Sequence, residues 1–113
     1  MDKINSELFK GSAITVVLTV LSKREMYGYE LMKEIERISK GSLELKEGTL
    51  YPVLHQLEKV GAIEARWEDT EKARKRKFYR ITGEGRKVLA RRKKEWSNFR
   101  SLIDQLITHR VTA

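Results

Sequence analysis

The chain has 113 residues, a formal net charge of +8, a sequence pI near 9.8 and no cysteine. Its length suits one small domain. The lack of cysteine excludes disulfides and thiolate metal sites, and it is typical of the reducing cytoplasm, where we expect the protein to act. The positive charge indicates a polyanionic partner, either nucleic acid or an acidic membrane surface. We expect no secretory signal and no membrane span, because the longest apolar run, Ala13–Leu21, is far shorter than the roughly 20 residues that cross a bilayer.

The first predicted helix spans residues 6–22. Its apolar side chains cover most of the helical circumference rather than one stripe, which is typical of a helix buried on two sides. A domain of this size can hardly bury such a helix alone, so we expect a second subunit to cover part of it.

A second helix is predicted over residues 27–39. Leu31, Ile35 and Ile38 form its inward face, and Gly41 suits the C′ position at which many helices stop. Residues 42–46 then form a short extended connector.

The third predicted helix lies within residues 47–61 and carries the strongest functional signal. Its inward positions are Leu50, Val53, Leu54 and Leu57, and its outward positions are Thr49, Tyr51, His55 and Gln56. With Thr49 as the N-cap, Pro52 falls in the first turn, where its missing N–H costs nothing. A start at Glu47 is the alternative and would need a kink. Gly61 sits where the helix should end.

Two strands follow, over residues 62–67 and 77–82, because apolar and polar residues alternate with a period of two. The first strand is expected to point Ile63, Ala65 and Trp67 to one side. The intervening residues are all polar or charged, so we predict a hairpin with a long basic tip. Three helices and a hairpin in this order are typical of a winged helix-turn-helix.

The final predicted helix runs from residue 83 to about residue 109. Leu89, Trp96 and Ile103 repeat at intervals of seven, and Phe99 and Leu106 follow the same interval, as in a coiled-coil seam. We therefore expect a homodimer, with a DNA-binding domain at residues 1–82 and a dimerisation helix at residues 83–113.

Four groups of residues carry a family resemblance. They are Tyr27-Gly28-Tyr29-Glu30-Leu31; Gly48-Thr49-Leu50-Tyr51-Pro52 with Leu54, Leu57 and Glu58; Gly61 and Ile63; and Arg76-Lys77-Phe78-Tyr79 with Ile81-Thr82, Gly85 and Leu89. The chain resembles the PadR-like transcriptional regulators in their short form, with a single C-terminal dimerisation helix. Phe78 stands where that family more often has tyrosine. The resemblance implies a dimeric regulator, usually a repressor; some members sense phenolic acids or hydrophobic drugs.

The predicted DNA-binding residues are Tyr27, Lys46, Thr49, Tyr51, His55, Lys59, Lys72, Arg74, Lys75, Arg76 and Lys77. The outward side chains of the third helix would meet base edges and phosphates in the major groove, and the basic hairpin would contact the backbone. Simpler alternatives remain open. Thr49 can be an N-cap alone, His55 an ordinary surface histidine, and the basic run a solvated charge cluster.

The predicted dimer interface comprises Leu8, Phe9, Leu89, Trp96, Phe99, Leu102, Ile103 and Leu106. Packing on this seam is the simpler role for Trp96. In the drug-sensing regulators that the chain resembles, however, a tryptophan of the final helix stacks on flat apolar ligands between the subunits. The corresponding effector-binding residues here would be Leu8, Trp96, Phe99 and Arg100. The cationic neighbours Lys93 and Arg100 favour an anionic aromatic effector over a cationic one.

No catalytic set is visible, because the two histidines, His55 and His109, lie on different elements and no phosphate-binding glycine loop is present. We expect no cofactor, no metal and no enzymatic activity. The sequence thus predicts a mainly α protein with a small β-hairpin, acting as a dimeric, sequence-specific repressor of double-stranded DNA that a small aromatic effector releases. The alternatives are a non-specific nucleic-acid-binding module and a protein-binding winged helix.

Overall fold

The computed structural model describes residues 11–69 and 75–109. These residues form, in chain order, α1 (Ala13–Leu21), β1 (Met26–Tyr27), α2 (Gly28–Ile38), α3 (Glu47–Lys59), β2 (Ile63–Asp69), β3 (Lys75–Ile81) and α4 (Gly83–Thr108). The strands make one antiparallel sheet in the order β1–β3–β2. The mainly α winged helix-turn-helix with a long C-terminal helix is therefore confirmed.

The first helix is shorter than the sequence predicted. Gly11 and Ser12 form a turn, and α1 begins at Ala13, so a single helix over residues 6–22 is wrong. Leu8 and Phe9 lie outside the described residues.

The second helix ends one residue earlier than the position of Gly41 suggested. Lys40 occupies the C′ position with a φ of 52°, and the Gly41 N–H donates to the Glu36 carbonyl at 2.8 Å. This is the hydrogen bond of a Schellman cap, which turns the chain sharply at the end of a helix. Ile38 is 43% exposed, so its predicted inward position is wrong, whereas Leu31 and Ile35 are buried as expected.

The third helix takes the early start. Lys46 is its N-cap, and Pro52 lies inside the helix, so Thr49 is not the cap. The end is as predicted: Gly61 has a φ of 77°, and the Ala62 N–H donates to the Leu57 carbonyl at 2.9 Å. Glycine suits this left-handed position because it has no Cβ to clash.

The sheet has three strands, not two, because residues Met26 and Tyr27 pair with β3. The wing strands are also longer than predicted and remain paired out to Asp69 and Lys75. Ile63 is buried but Trp67, which was expected on the same side of the strand, is 63% exposed, because this part of β2 extends beyond the helices that bury Ile63.

Within the described residues, one hydrophobic core joins the four helices to the sheet. Its largest fully buried side chains are Leu18, Leu21, Met26, Leu31, Leu50, Leu54, Leu57, Ile63 and Val17. Leu89, from the second turn of α4, is 4% exposed and belongs to this core, which corrects its assignment to the dimer interface. The first turns of α4 therefore pack on the winged fold itself, and the division at residue 82 stays a prediction.

A tight junction holds α4 against the end of α3. Thr82 caps α4: its hydroxyl accepts from the Gly85 N–H at 3.0 Å and donates to the Gly61 carbonyl at 2.6 Å. A Cβ on Gly85 would lie 1.9 Å from the Ala62 carbonyl oxygen, so only glycine fits there. The direction of α4 is thereby fixed relative to α3.

Candidate nucleic-acid interface

The outer face of α3 presents hydrogen-bonding groups to solvent. Leu50, Leu54 and Leu57 are buried, which fixes the rotation of the helix about its axis. Thr49, His55 and Gln56 consequently lie on the exposed side. In a helix-turn-helix, side chains near the start of the second helix of the motif, here α3, contact base edges in the major groove. Thr49, His55 and Gln56 can donate and accept hydrogen bonds there.

The N-terminus of α3 is suited to a phosphate. The Thr49 and Leu50 N–H groups donate to the Lys46 carbonyl at 3.0 and 2.9 Å, whereas the first N–H groups of a helix have no intrahelical acceptor. Exposed N–H groups at the positive end of a helix attract anions. Lys46, which precedes the helix and is exposed, adds a full positive charge at the same place.

Tyr51 has a structural contact as well as an exposed surface. Its side chain is 42% exposed, but a Cβ on Gly28 would lie only 2.5 Å from its hydroxyl oxygen. The phenol therefore lies directly against the start of α2. Tyr51 joins the two helices of the helix-turn-helix and leaves part of its ring accessible to a ligand.

The outer face of the sheet carries stacked cations and aromatic rings. The guanidinium of Arg76 lies 4.5 Å from the centre of the Tyr27 ring, and that ring meets Phe78 edge-on at 5.5 Å. Such cation–π contacts hold a cation in place without neutralising it. Tyr27 therefore supports Arg76. An indirect role of Tyr27 in DNA binding, through Arg76, is a simpler interpretation than the predicted direct contact.

Arg66, on the same face, is neutralised within the protein. It forms ion pairs with Glu25 and Glu68, and its hydrogen bond holds the pKa of Glu25 below the usual value. Arg76 has no carboxylate partner among residues 11–69 and 75–109. Of these two arginines, Arg76 is the one whose charge is available to a phosphate.

The wing offers fewer free cations than its sequence suggests. Lys75 and Arg76 are exposed and belong to β3 rather than to the hairpin tip. Lys77 is half-buried, and its ammonium lies 3.1 Å from a carboxylate oxygen of Glu58 on α3. Lys59 is exposed at the end of α3. Lys72 and Arg74 lie outside the described residues, so their DNA contacts stay predictions.

Sequence reasoning missed the contacts that join these elements. The ion pairs Glu25–Arg66 and Glu58–Lys77 link residues 41 and 19 positions apart. The register of the hairpin pairs Lys77 with Trp67 and so places both side chains on one face. No local pattern shows that this face lies beside the last turn of α3.

The second half of α4 carries an exposed apolar stripe. Trp96, Phe99, Leu102, Leu106 and Ile107 are each at least half exposed, and Ile103 is partly buried. Trp96 and Phe99 also line an open cleft of about 400 Å³ between the start of α1 and α4. Arg92 and Glu95 line this cleft too, whereas Arg100 is exposed and does not.

Residues 11–69 and 75–109 contain no cluster of three or more residues able to hold a metal ion. Within the same ranges, no helix is long and apolar enough to cross a membrane.

Two packed helices with a polar outer face, followed by a basic two-stranded wing, define a winged helix-turn-helix DNA-binding protein. The comparisons with known proteins narrow this class. The model of the PadR-like family of transcriptional regulators matches residues 17–91. A protein of Lysinibacillus sphaericus is 37% identical over 101 residues, which cover 89% of this chain and 93% of that protein.

Solved structures give the same result. A transcriptional regulator from Clostridium thermocellum superposes with a TM-score of 0.85 at 32% identity, over 93% of this chain and 99% of its own. A PadR family regulator from Eggerthella lenta gives 0.81 at 29% identity, over 92% and 88%. The chain belongs to the PadR-like family of transcriptional regulators. It is a DNA-binding regulator and not an enzyme.

Proposed function

We propose that the protein is a cytoplasmic, homodimeric repressor that recognises a two-fold symmetric operator and is released by a small aromatic effector. The observation that carries this proposal is the exposed apolar stripe on the second half of α4. The stripe supplies the surface by which two copies of the DNA-binding unit would pair.

The stripe has no partner within the described part of its own chain. α4 has 26 residues and is therefore about 39 Å long, and the turns beyond Leu89 extend past the core. Leaving several large apolar side chains in water on one helix face costs free energy that a second copy of the helix would recover. A two-fold axis along this seam would let identical surfaces meet.

Pairing through α4 would present two copies of α3 to one face of a DNA duplex. Because the Thr82–Gly85 junction fixes α4 against the end of α3, the dimer would also fix the distance between the two copies of α3, which are the recognition helices. Helix-turn-helix dimers bind half-sites about 34 Å apart, one turn of B-DNA. We therefore expect an inverted repeat in the operator, and repression by occupation of the promoter.

The side chains on the outer face of α3 favour sequence reading over non-specific binding. Thr49, His55 and Gln56 carry hydrogen-bonding groups rather than positive charges. A module that only held phosphates would gain more from lysine and arginine there.

Selection of duplexes from a random-sequence pool tests this function directly. We expect enrichment of an inverted repeat that the protein binds at least about a thousandfold more tightly than random duplex. His55→Ala should weaken binding to the selected duplex by about tenfold, the loss of one base contact, and leave random-duplex binding unchanged. Lys59→Ala, at the far end of the helix, is the control, because removing a phosphate partner weakens both equally. Failure to enrich any sequence would support the non-specific module instead.

The cleft beside Trp96 is the proposed effector site. A flat aromatic ring could stack on the indole, and Arg92 would pair with an anionic substituent. In a Trp67→Phe background, Trp96 is the remaining tryptophan, so its fluorescence reports binding. We expect quenching by an aromatic carboxylate such as 4-hydroxycinnamate and its loss in Arg92→Gln. Quenching only by planar cations would assign the recognition to Glu95.

A further inference from the structure

The wing and the recognition helix are tied together by one side-chain pair. The Lys77 ammonium on β3 lies 3.1 Å from Glu58 Oε1 on α3. It also lies 5.3 Å from the ring centre of Tyr79 and 5.9 Å from that of Trp67. The hydrogen bond with Glu58 raises the pKa of Lys77, so the lysine is charged at neutral pH and its charge is already matched inside the protein.

Helix stability does not explain Glu58. It lies in the last turn of α3, where the negative end of the helix macrodipole disfavours a carboxylate. Lys77 compensates both the carboxylate and the helix end. The surrounding aromatic rings further restrict the lysine side chain, because each attracts the ammonium to its face. The pair is therefore better placed than an ordinary surface ion pair to fix one geometry.

The ion pair lies far from the point at which the main chain joins α3 to the wing. The turn at Val60–Gly61 joins α3 to the base of the wing through the main chain. Lys77 pairs with Trp67, which lies five residues beyond Ala62 and hence about 17 Å further along the strand. The ion pair thus restrains the hairpin well away from its covalent attachment.

We propose that Glu58 and Lys77 are positioning residues that set the angle between the recognition helix and the wing, so that both meet the same DNA duplex. Lys77 thereby acts through Glu58 and not as a phosphate contact. This inference rests on the proposed sequence-specific DNA binding and names the device that aligns its two parts.

The sign of the effect of Glu58→Gln separates this proposal from simple electrostatics. Removing a negative charge beside DNA should strengthen binding if charge alone matters. If the pair positions the wing, Glu58→Gln should instead weaken binding to the selected duplex by about tenfold, since a dimer carries two wings. Lys77→Gln should weaken it equally without lowering the slope of log K against log salt. The charge exchange Glu58→Lys with Lys77→Glu should restore affinity to within about twofold.

A matched ion pair serves as the control. Lys87 and Glu84 form an ion pair of similar length, 3.3 Å, on the surface of α4. Glu84→Gln therefore makes the same charge change away from the wing and should leave operator affinity unchanged. Tighter binding by Glu58→Gln, or a salt slope reduced by about 0.9 per lysine in Lys77→Gln with no recovery on charge exchange, would overturn the proposal and make Lys77 a phosphate contact.

Amide hydrogen exchange without DNA keeps this test independent of the proposed function. We expect the β2 and β3 amides near Trp67 and Lys77 to exchange several-fold faster in both single variants and at the wild-type rate after charge exchange. Unchanged exchange in Glu58→Gln would refute the positioning role even if no operator were found. Faster exchange in a protein that selected no sequence would instead count against the repressor alone.

Discussion

The junction between α4 and the winged fold predicts a large effect from a single methyl group. Gly85→Ala would place a Cβ 1.9 Å from the Ala62 carbonyl oxygen and 2.7 Å from Cγ1 of Ile81, so either the main chain or the helix must move by more than 1 Å. Ala62 cannot yield freely, because its carbonyl accepts a hydrogen bond from the Thr82 N–H at 3.0 Å. Overpacking costs about 1–3 kcal/mol, and the strained hydrogen bond costs about 1 kcal/mol more.

Better helix propensity returns at most about 1 kcal/mol, so we expect the free energy of unfolding to fall by about 1–3 kcal/mol. For a domain of this size that lowers Tm by about 5–20 °C. Thermal unfolding followed by circular dichroism at one fixed protein concentration measures it. Gly83→Ala is the control, since a Cβ there meets nothing within 4 Å, and its Tm should not fall. Equal stability of the two variants would refute the tight junction.

Three further predictions concern the cap, the wing and the DNA interface. Thr82→Ala should lower the unfolding free energy by about 1 kcal/mol and Thr82→Ser by much less, as thermal melts can show. Glu58 raises the pKa of Lys77, and burial raises the pKa of Tyr79. A group whose pKa is raised by folding stabilises the fold below its unfolded-state pKa, and this contribution is lost as the pH rises through its folded-state pKa. Wing amides should therefore lose protection from hydrogen exchange from about pH 10 upward, and at a higher pH in Tyr79→Phe. Operator binding should show a log–log salt slope of about −5 or steeper, from about six phosphate contacts per dimer; a slope near zero would remove the wing from the interface.

Local patterns determined most of the fold. The three-and-four spacing of Leu50, Leu54 and Leu57 sets the buried face of α3, and glycine at position 61 sets its end. The start of α3 could not be predicted, because Pro52 is compatible with a first-turn position and the helix tolerates it further inside. Lys40, not Gly41, occupies the C′ position of α2, since the Schellman hydrogen bonds require a left-handed residue one place before Gly41.

The site was predictable in its residue types but not in its contacts. The exposed positions of Thr49 and His55 followed from helical periodicity alone. Contacts between residues far apart in the sequence could not be predicted in this way. The contact of Tyr27 with Arg76 and the ion pair of Glu58 with Lys77 arise from the packing of separate elements. A charge run in a sequence therefore overstates the free charge of the wing, because folding pairs Lys77 with Glu58 inside the protein.

Mass measurement of the free protein and of its complex with the selected duplex tests the central claim most directly. Light scattering after gel filtration at micromolar concentration should give twice the 13.2 kDa of one chain, and the complex should contain two chains per inverted repeat. Replacing Leu102 and Leu106 with glutamate should yield single chains that no longer discriminate the repeat from random duplex. A wild-type protein that remains a single chain and still selects the full inverted repeat would contradict the account.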